Sequence, residues 1–215
     1  IQDNLKLDQA LKLAKRQINN GALDDAKLTY YDTLLKFPKN SNAQQGLAVL
    51  KKPKKSVFDQ KLPKKMMNNL INLYRDGHLS AAVEEAQIIA QQYPDAIIVW
   101  NILGAAQKGL GRVAEASQAF KHVTQLNPNF ADGHNNFGVT LKDQGRMEEA
   151  IKAYKKALSL KPDYADAHNN MGVALNDLGN VDEAVEAYNN AISIKPDYAD
   201  AHNNKGNALK DQGKL

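Results

Sequence analysis

Ala131–Tyr164 reads ADGHNNFGVTLKDQGRMEEAIKAYKKALSLKPDY, and Ala165–Tyr198 reads ADAHNNMGVALNDLGNVDEAVEAYNNAISIKPDY. The two stretches follow each other without a gap, and 20 of their 34 aligned positions are identical. A 34-residue period is typical of a solenoid in which each unit is one helix–turn–helix. We therefore predict an all-α solenoid, and the position of a residue within its unit becomes the guide to its role.

The first half of the unit predicts a helix with two different faces. Successive residues of an α-helix are turned by about 100°, which places positions 4, 7, 8 and 11 of the unit on one face. In the first copy this packing face consists of His134, Phe137, Gly138 and Leu141. Positions 2, 5, 6, 9, 12 and 13 form the opposite face, here called the polar arc, which is mostly amide and charge. We expect the functional residues to lie on the polar arc.

The second half of the unit predicts a second helix that packs closely on the first. Gly145 and Gly179 suit the left-handed residue that follows a helix end. Pro162 and Pro196 end the second helix, because proline cannot continue one. Acidic residues open that helix at the positive end of its dipole. Small residues allow the two helices to approach closely, and in the first copy they are Gly138, Ala150 and Ala157.

The pattern resembles the tetratricopeptide repeat, most clearly over residues 97–130. That family has W-x2-L-G-x2-Y, then A-x3-F, then P, and the matching residues are Trp100, Leu103, Gly104, Ala116, Phe120 and Pro128. Gln107 stands where the family has tyrosine. The resemblance implies a right-handed α-solenoid of helix–turn–helix repeats and a module for protein–protein interaction.

The period divides the chain into three predicted regions. Residues 1–52 hold a degenerate repeat and one extra helix, for which we expect Ser41 to be the N-terminal cap. Residues 53–62 form a lysine-rich linker that breaks the period. The repeat array covers residues 63–215, and its units are 63–96, 97–130, 131–164, 165–198 and a half repeat over 199–215. We interpret the chain as a fragment of a longer protein.

Composition excludes several classes of function. Apolar residues make up 43% and charged residues 24% of the chain, as in ordinary soluble proteins. The chain has no cysteine, so it has no disulfides and no thiol chemistry. The longest uncharged run, over 96–107, is too short for a membrane span of ~20 residues. No signal peptide is visible, and we expect a cytoplasmic location.

Charge is distributed unevenly along the sequence. Residues 1–65 carry a net charge of +8 and the remaining residues carry −4. Seven lysines and one aspartate fall within 51–65, a composition that suits a phosphate backbone or an anionic membrane. Because this stretch lacks arginine and interleaved aromatic residues, we interpret it as a solvated linker and expect no nucleic-acid partner.

Asparagine pairs on the polar arc indicate a binding site. An amide offers both a donor and an acceptor, so it can hold a peptide backbone at two points. Asparagine is also less favourable in a helix than alanine by about 0.5 kcal/mol. Together with neighbouring charged residues, these amides form the candidate peptide-binding groove, which consists of Asn68, Asn101, Asp132, Asn135, Asn136, Lys142, Asp143, Asp166, Asn169, Asn170, Asn176, Asp200, Asn203 and Asn204.

The amides at position 6 are similar to the asparagine ladder of O-linked N-acetylglucosamine transferase, whose tetratricopeptide superhelix holds substrate peptides. The resemblance carries over to Asn136, Asn170 and Asn204, and more weakly to Asn68, and it is interrupted at Ile102. A different form of the family binds acidic C-terminal peptides through lysine or arginine at positions 2, 5 or 6. Here those positions hold mainly aspartate and asparagine, which disfavours that form.

Histidines recur at position 4, as His134, His168 and His202. Copies in neighbouring repeats lie roughly 10 Å apart, whereas ligands of one metal ion lie ~2 Å from it. We therefore predict packing roles for these histidines, and inter-repeat packing for Tyr164 and Tyr198. The sequence has no phosphate-binding loop, nucleophile elbow or HExxH motif. We predict no catalytic, cofactor-binding or metal-binding residue in this segment.

Three functions remain open from the sequence. The first is a binding module whose groove holds an extended segment of another protein. The second is a substrate-presenting segment, since similar arrays precede glycosyltransferase and sulfotransferase domains in larger proteins of the family. The third is self-assembly through the half repeat over 199–215, where a helix without its covering partner exposes apolar surface.

Overall fold

The computed structural model describes residues 2–20, 22–50 and 62–211. These residues form twelve α-helices, which confirms the predicted all-α fold. Within these ranges, no helix is both long enough and apolar enough for a transmembrane segment.

Two compact units divide the chain, one up to Leu110 and the other from Gly111 onward. The linker predicted over 53–62 lies outside the described residues except for Leu62, and so do the last four residues of the half repeat. The two units are therefore described separately.

The described residues of the first unit form six helices, and their bounds are α1 Gln2–Asn19, α2 Leu23–Lys36, α3 Ser41–Val49, α4 Lys64–Arg75, α5 Leu79–Gln92 and α6 Ile97–Gly109. Its N-terminal three helices share a small core built around Ala14, Ala26, Tyr30 and Ala43. Asn40, and not Ser41 as expected, caps α3. The Asn40 side chain accepts a 2.8 Å bond from the Ala43 amide, because extended Asn40 precedes the first helical residue.

In the second unit, residues 111–211 also form six helices, and their bounds are α7 Val113–Leu126, α8 Ala131–Asp143, α9 Met147–Leu160, α10 Ala165–Asp177, α11 Val181–Ile194 and α12 Ala199–Asp211. Each leading helix pairs with the helix that follows it, α8 with α9 and α10 with α11. The leading helices α8, α10 and α12 also contact one another in order. One apolar cluster runs through the stack, and Leu141 within it is 1% exposed, a burial that stabilises by about 2 kcal/mol.

Left-handed glycines close the first helix of the four repeats between residues 63 and 198. Gly145 and Gly179 have φ of 74° and 79°, as the sequence predicted. Beside Gly145, the amide of Arg146 donates to the Leu141 carbonyl at 3.0 Å, and the Gly145 amide donates to Lys142 at 2.8 Å. This pair of bonds is a Schellman motif, which satisfies carbonyls that the helix leaves unpaired. The sharp turn starts the second helix only two residues later.

Small residues bring the two helices of a repeat into close contact, as predicted. A Cβ atom added to Gly138 would lie 2.6 Å from the ring of Tyr154, and one added to Gly172 would lie 2.6 Å from the ring of Tyr188. Both rings are at most 2% exposed. The missing side chain at position 8 therefore makes room for the tyrosine of the second helix.

Candidate functional site

Asparagines at positions 5 and 6 form hydrogen-bonded rungs between successive repeats. The Nδ2 group of Asn170 donates to Oδ1 of Asn135 at 3.1 Å. One repeat later, Nδ2 of Asn204 donates to Oδ1 of Asn169 at 3.0 Å. Each bond joins position 6 of one leading helix to position 5 of the preceding one. The same contact at the same spacing fixes the register of α8, α10 and α12.

The two adjacent asparagines of a repeat, at positions 5 and 6, differ in burial. Asn135 and Asn169, at position 5, are both 6% exposed. Asn136, Asn170 and Asn204, at position 6, are half-buried. Position 5 therefore lies at the contact between repeats, whereas position 6 reaches the surface that the leading helices share.

Tyr198 lies beside the buried amide of one rung. This tyrosine ends the unit, and the side chains of Asp166 and Asn169 are among its surroundings. Burial, followed by the charge of Asp166, raises the pKa of Tyr198 well above its ordinary value. The neutral phenol is therefore the form that is favoured next to the rung.

Charged candidates of the polar arc lie nearer the solvent than the rungs. The Nζ atom of Lys142 lies 3.2 Å from a carboxylate oxygen of Asp143. Asp132 is 4.0 Å from Nζ of Lys161, and that ammonium also lies 4.0 Å from the centre of the Tyr164 ring. An exposed ion pair of this kind contributes at most about 1 kcal/mol. These groups set the local charge of the surface.

The remaining candidates are dispersed. Asn68, Asp166, Asp200 and Asn203 are exposed or partly exposed. Asn176 is half-buried, and its Oδ1 atom is buried without a hydrogen-bond partner among the described residues. The rungs thus bring four candidates together as two hydrogen-bonded pairs, Asn135 with Asn170 and Asn169 with Asn204.

In the first unit, the asparagine at position 5 has a different partner. Nδ2 of Asn101 donates to a carboxylate oxygen of Asp32 on α2 at 3.2 Å. Ile102, the residue at which the sequence predicted an interruption, is fully buried, and Ile98 at position 2 is 4% exposed. The polar arc of α6 is therefore apolar and covered at positions 2 and 6.

Position 4 supplies a contact that the sequence did not predict. The Nε2 atoms of His134, His168 and His202 lie 2.9–3.0 Å from the carbonyl oxygens of the prolines six residues earlier. Trp100 makes the same bond, from its indole N–H to the carbonyl of Pro94, at 2.7 Å. Because a carbonyl only accepts, the histidine Nε2 carries the proton. The histidines therefore clamp the turn between repeats.

No group of metal-ligating side chains converges in the part of the chain that the structure describes. Burial, opposed by the hydrogen bond to Pro128, lowers the pKa of His134. Both the neutral Nε2–H tautomer and the imidazolium can donate to the carbonyl, and burial favours the neutral form.

The contacts that the sequence did not predict share one property, which is that each joins a residue to another helix or to the turn before its own helix. The histidines at position 4 were expected only to pack, and the two asparagine positions were treated as equivalent. One feature of the sequence could have indicated these contacts: the whole junction KPDYADAHNN recurs unchanged at residues 161–170 and 195–204. A junction that is copied without change indicates contacts across it.

Family models match the middle and the C-terminal half of the chain. The model described as TPR repeat matches residues 140–179 and 172–213. The model described as Tetratricopeptide repeat matches residues 97–130. The chain therefore belongs to the tetratricopeptide repeat family, as its sequence pattern and its paired helices indicate. No curated protein matches it at the level of sequence.

Solved tetratricopeptide structures are similar in fold. The crystal structure of MamA aligns with a TM-score of 0.64 and 25% identity, over 67% of this chain and 85% of MamA. YrrB, described as a TPR protein with an unusual peptide-binding site, aligns with a TM-score of 0.57 and 19% identity, over 92% of this chain and 90% of YrrB. The first TPR of Spaghetti (RPAP3), solved with the HSP90 peptide SRMEEVD, aligns with a TM-score of 0.53 and 18% identity, over 54% of this chain and 93% of that structure. The chain thus shares the fold of these structures.

Proposed function

We propose that this segment is a binding module, and that the polar arcs of α8, α10 and α12 hold an extended segment of another protein. The observation that carries the proposal is the pair of rungs at Asn170 and Asn204. Each rung uses one N–H of the position 6 amide. The amide retains a second N–H and its carbonyl oxygen for a ligand.

This geometry favours recognition of the backbone of the ligand. A peptide unit presents one N–H and one C=O, which the remaining donor and acceptor of an asparagine complement. Because the Nδ2 atom is already bonded to the preceding repeat, the orientation of the amide is fixed before a ligand arrives. Such preorganisation reduces the entropic cost of binding.

We do not expect this chain to bind an acidic peptide such as the HSP90 peptide SRMEEVD. Asp132, Asp166 and Asp200 occupy position 2 of the three leading helices. A carboxylate row repels an acidic ligand and tolerates a neutral or basic one. We therefore expect ligands without a cluster of negative charges.

The test begins with a peptide library displayed against the purified chain, from which one binding peptide is selected. Asn136, Asn170 and Asn204 are then replaced together by alanine. We expect affinity for the selected peptide to fall by about tenfold or more, since each lost hydrogen bond contributes about 0.5–1.5 kcal/mol. Replacing amides in the peptide by N-methyl amides should weaken binding more than replacing its side chains by alanine.

A matched control uses Asn189 and Asn190, two exposed asparagines on α11 outside the polar arc. Their replacement by alanine removes the same chemical groups and should leave binding unchanged. Unchanged affinity in the triple variant, with its folding intact, would contradict the proposal. The two other functions from the sequence, substrate presentation and self-assembly, remain predictions.

A further inference from the structure

Helix α2 has two faces that are buried against different neighbours. On one face, Ala26 and Tyr30 belong to the core shared with α1 and α3. On the other face, Leu28 is 1% exposed although it is not part of that core. Asp32 lies one turn beyond Leu28 and therefore on the same side of the helix. The N-terminal helices thus use only one side of α2 to hold themselves together.

The second face of α2 meets the polar arc of the first unit. Asp32 accepts the 3.2 Å hydrogen bond from Asn101 at position 5 of α6. Helix α2 also contacts α4. There, Tyr74 at position 12 has a pKa raised by burial, lowered by the charge of Lys36 and raised by that of Asp32. Asp32 and Lys36, one turn apart, therefore both lie close to the arc.

The polar arc of α6 is more apolar than the arcs of the later repeats, so it gains more stability when another helix covers it. Ile98 and Ile102 replace the aspartate and asparagine found at positions 2 and 6 of later repeats. Both isoleucines are buried, and large aliphatic side chains gain stability from removal from water. An amphipathic helix that brings a leucine and a carboxylate suits such a surface, because it offers both apolar contact and an acceptor for Asn101.

We propose that α2 is an internal occupant of the polar arc of α4 and α6, and that it must undock before any partner can bind there. The core around Ala26 and Tyr30 lies on the opposite face of α2. The N-terminal helices can therefore leave the arc as a folded group. Binding at the two ends of the array thus differs, since the arc of the first unit is self-occupied while that of the second is open.

The test measures the accessibility of a thiol placed at Asn101 in the full chain. The protein has no cysteine of its own, so a maleimide reports on the introduced residue alone. We expect the Asn101→Cys protein to react slowly. Adding Leu28→Asp, which places a charge on the docking face only, should accelerate labelling by about tenfold or more.

Asn135→Cys provides the matched control, because Asn135 occupies the same position of its repeat and is equally buried at 6% against 5%. Its labelling rate should not respond to Leu28→Asp. Circular dichroism of both proteins should show the helical content unchanged. Because the probe is a thiol reagent, the result does not depend on whether the second unit binds peptides.

A crosslink checks the contact independently. Oxidation should join the thiols of the Asp32→Cys, Asn101→Cys pair in a disulfide, and it should not join Leu34→Cys with Asn101→Cys, since Leu34 packs with the core of α1 and α3. The proposal is overturned if the thiol introduced at Asn101 reacts rapidly without Leu28→Asp, if that substitution leaves the rate unchanged, or if it unfolds α4 and α6 as well.

Discussion

The side-chain amide of Asn204 donates a hydrogen bond to the side-chain oxygen of Asn169, 35 residues earlier, at 3.0 Å. The two residues look alike in the sequence, but Asn169 is buried and Asn204 reaches the surface. One stabilises the stacking of repeats, and the other is held in a fixed orientation by that stacking. Stability and recognition therefore depend on different members of the same pair.

A double-mutant cycle on this rung should show coupling. We expect Asn169→Ala and Asn204→Ala each to lower the free energy of unfolding, and the double variant to lose less than their sum. The difference should be about 0.5–1.5 kcal/mol, the net contribution of one hydrogen bond. Urea unfolding of the four proteins measures it, and additive losses would show that the rung contributes nothing to stability.

Substitution of position 8 should have opposite effects in different repeats. Gly138→Ala adds a Cβ atom 2.6 Å from the buried Tyr154 ring, whereas Gly206→Ala adds one with nothing within 4 Å. We expect Gly138→Ala to destabilise by about 1 kcal/mol, because overpacking exceeds the gain in helix propensity. Gly206→Ala should stabilise by about 0.5–1 kcal/mol. Thermal unfolding of both variants decides the matter, and a stabilising Gly138→Ala would contradict the packing described above.

Substitution of the turn glycine Gly179 should lower stability because of its backbone conformation alone. Gly179 has φ of 79°, and a Cβ atom there would meet no other atom within 4 Å. We expect Gly179→Ala to cost about 1–2 kcal/mol, the penalty of the left-handed conformation. Asparagine tolerates that conformation better, so Gly179→Asn should cost less. Equal losses in the two variants, measured by denaturant unfolding, would argue against a backbone origin.

Acidification should lower the stability of the protein at His134, because protonation places a charge in a half-buried site. Burial lowers the pKa of His134 below its ordinary value of 6.5, so the unfolded chain binds a proton at a higher pH than the folded protein. Stability is therefore complete above about pH 6.5 and falls as pH drops through the folded pKa. His134→Trp keeps a ring N–H for Pro128, as Trp100 does for Pro94, and should remove this contribution. An NMR titration of His134 that gives a pKa above 6.5 would reverse the sign.

Alkaline conditions should weaken the contact between paired helices. Burial, followed by the charge of Asp177, raises the pKa of Tyr188 from 10.0 to about 12. Because the folded state disfavours the tyrosinate, stability is complete below about pH 10 and is lost between about pH 10 and 12. Tyr188→Phe should reduce this loss. Urea midpoints measured across that range test the prediction, and identical slopes for the two proteins would contradict it.

Periodicity predicted most of the fold, because glycine at position 15, small residues at position 8 and proline at position 32 each act within one repeat. The rungs were only half predicted. Helical geometry placed positions 5 and 6 on the same arc, but it contains no information about the neighbouring helix that buries Asn135 and leaves Asn170 half-exposed. The contact between Asp32 and Asn101 could not be predicted at all, because it joins residues on either side of the break in the period.

The rungs also bear on how such arrays lengthen. Each one joins position 5 of a repeat to position 6 of its successor, so a tandem copy of the 34-residue segment carries both halves of the next joint. Gene duplication can therefore extend the stack by one complete step without inventing a new interface. The number of copies then sets the length of the surface, while the contact between neighbouring repeats stays the same.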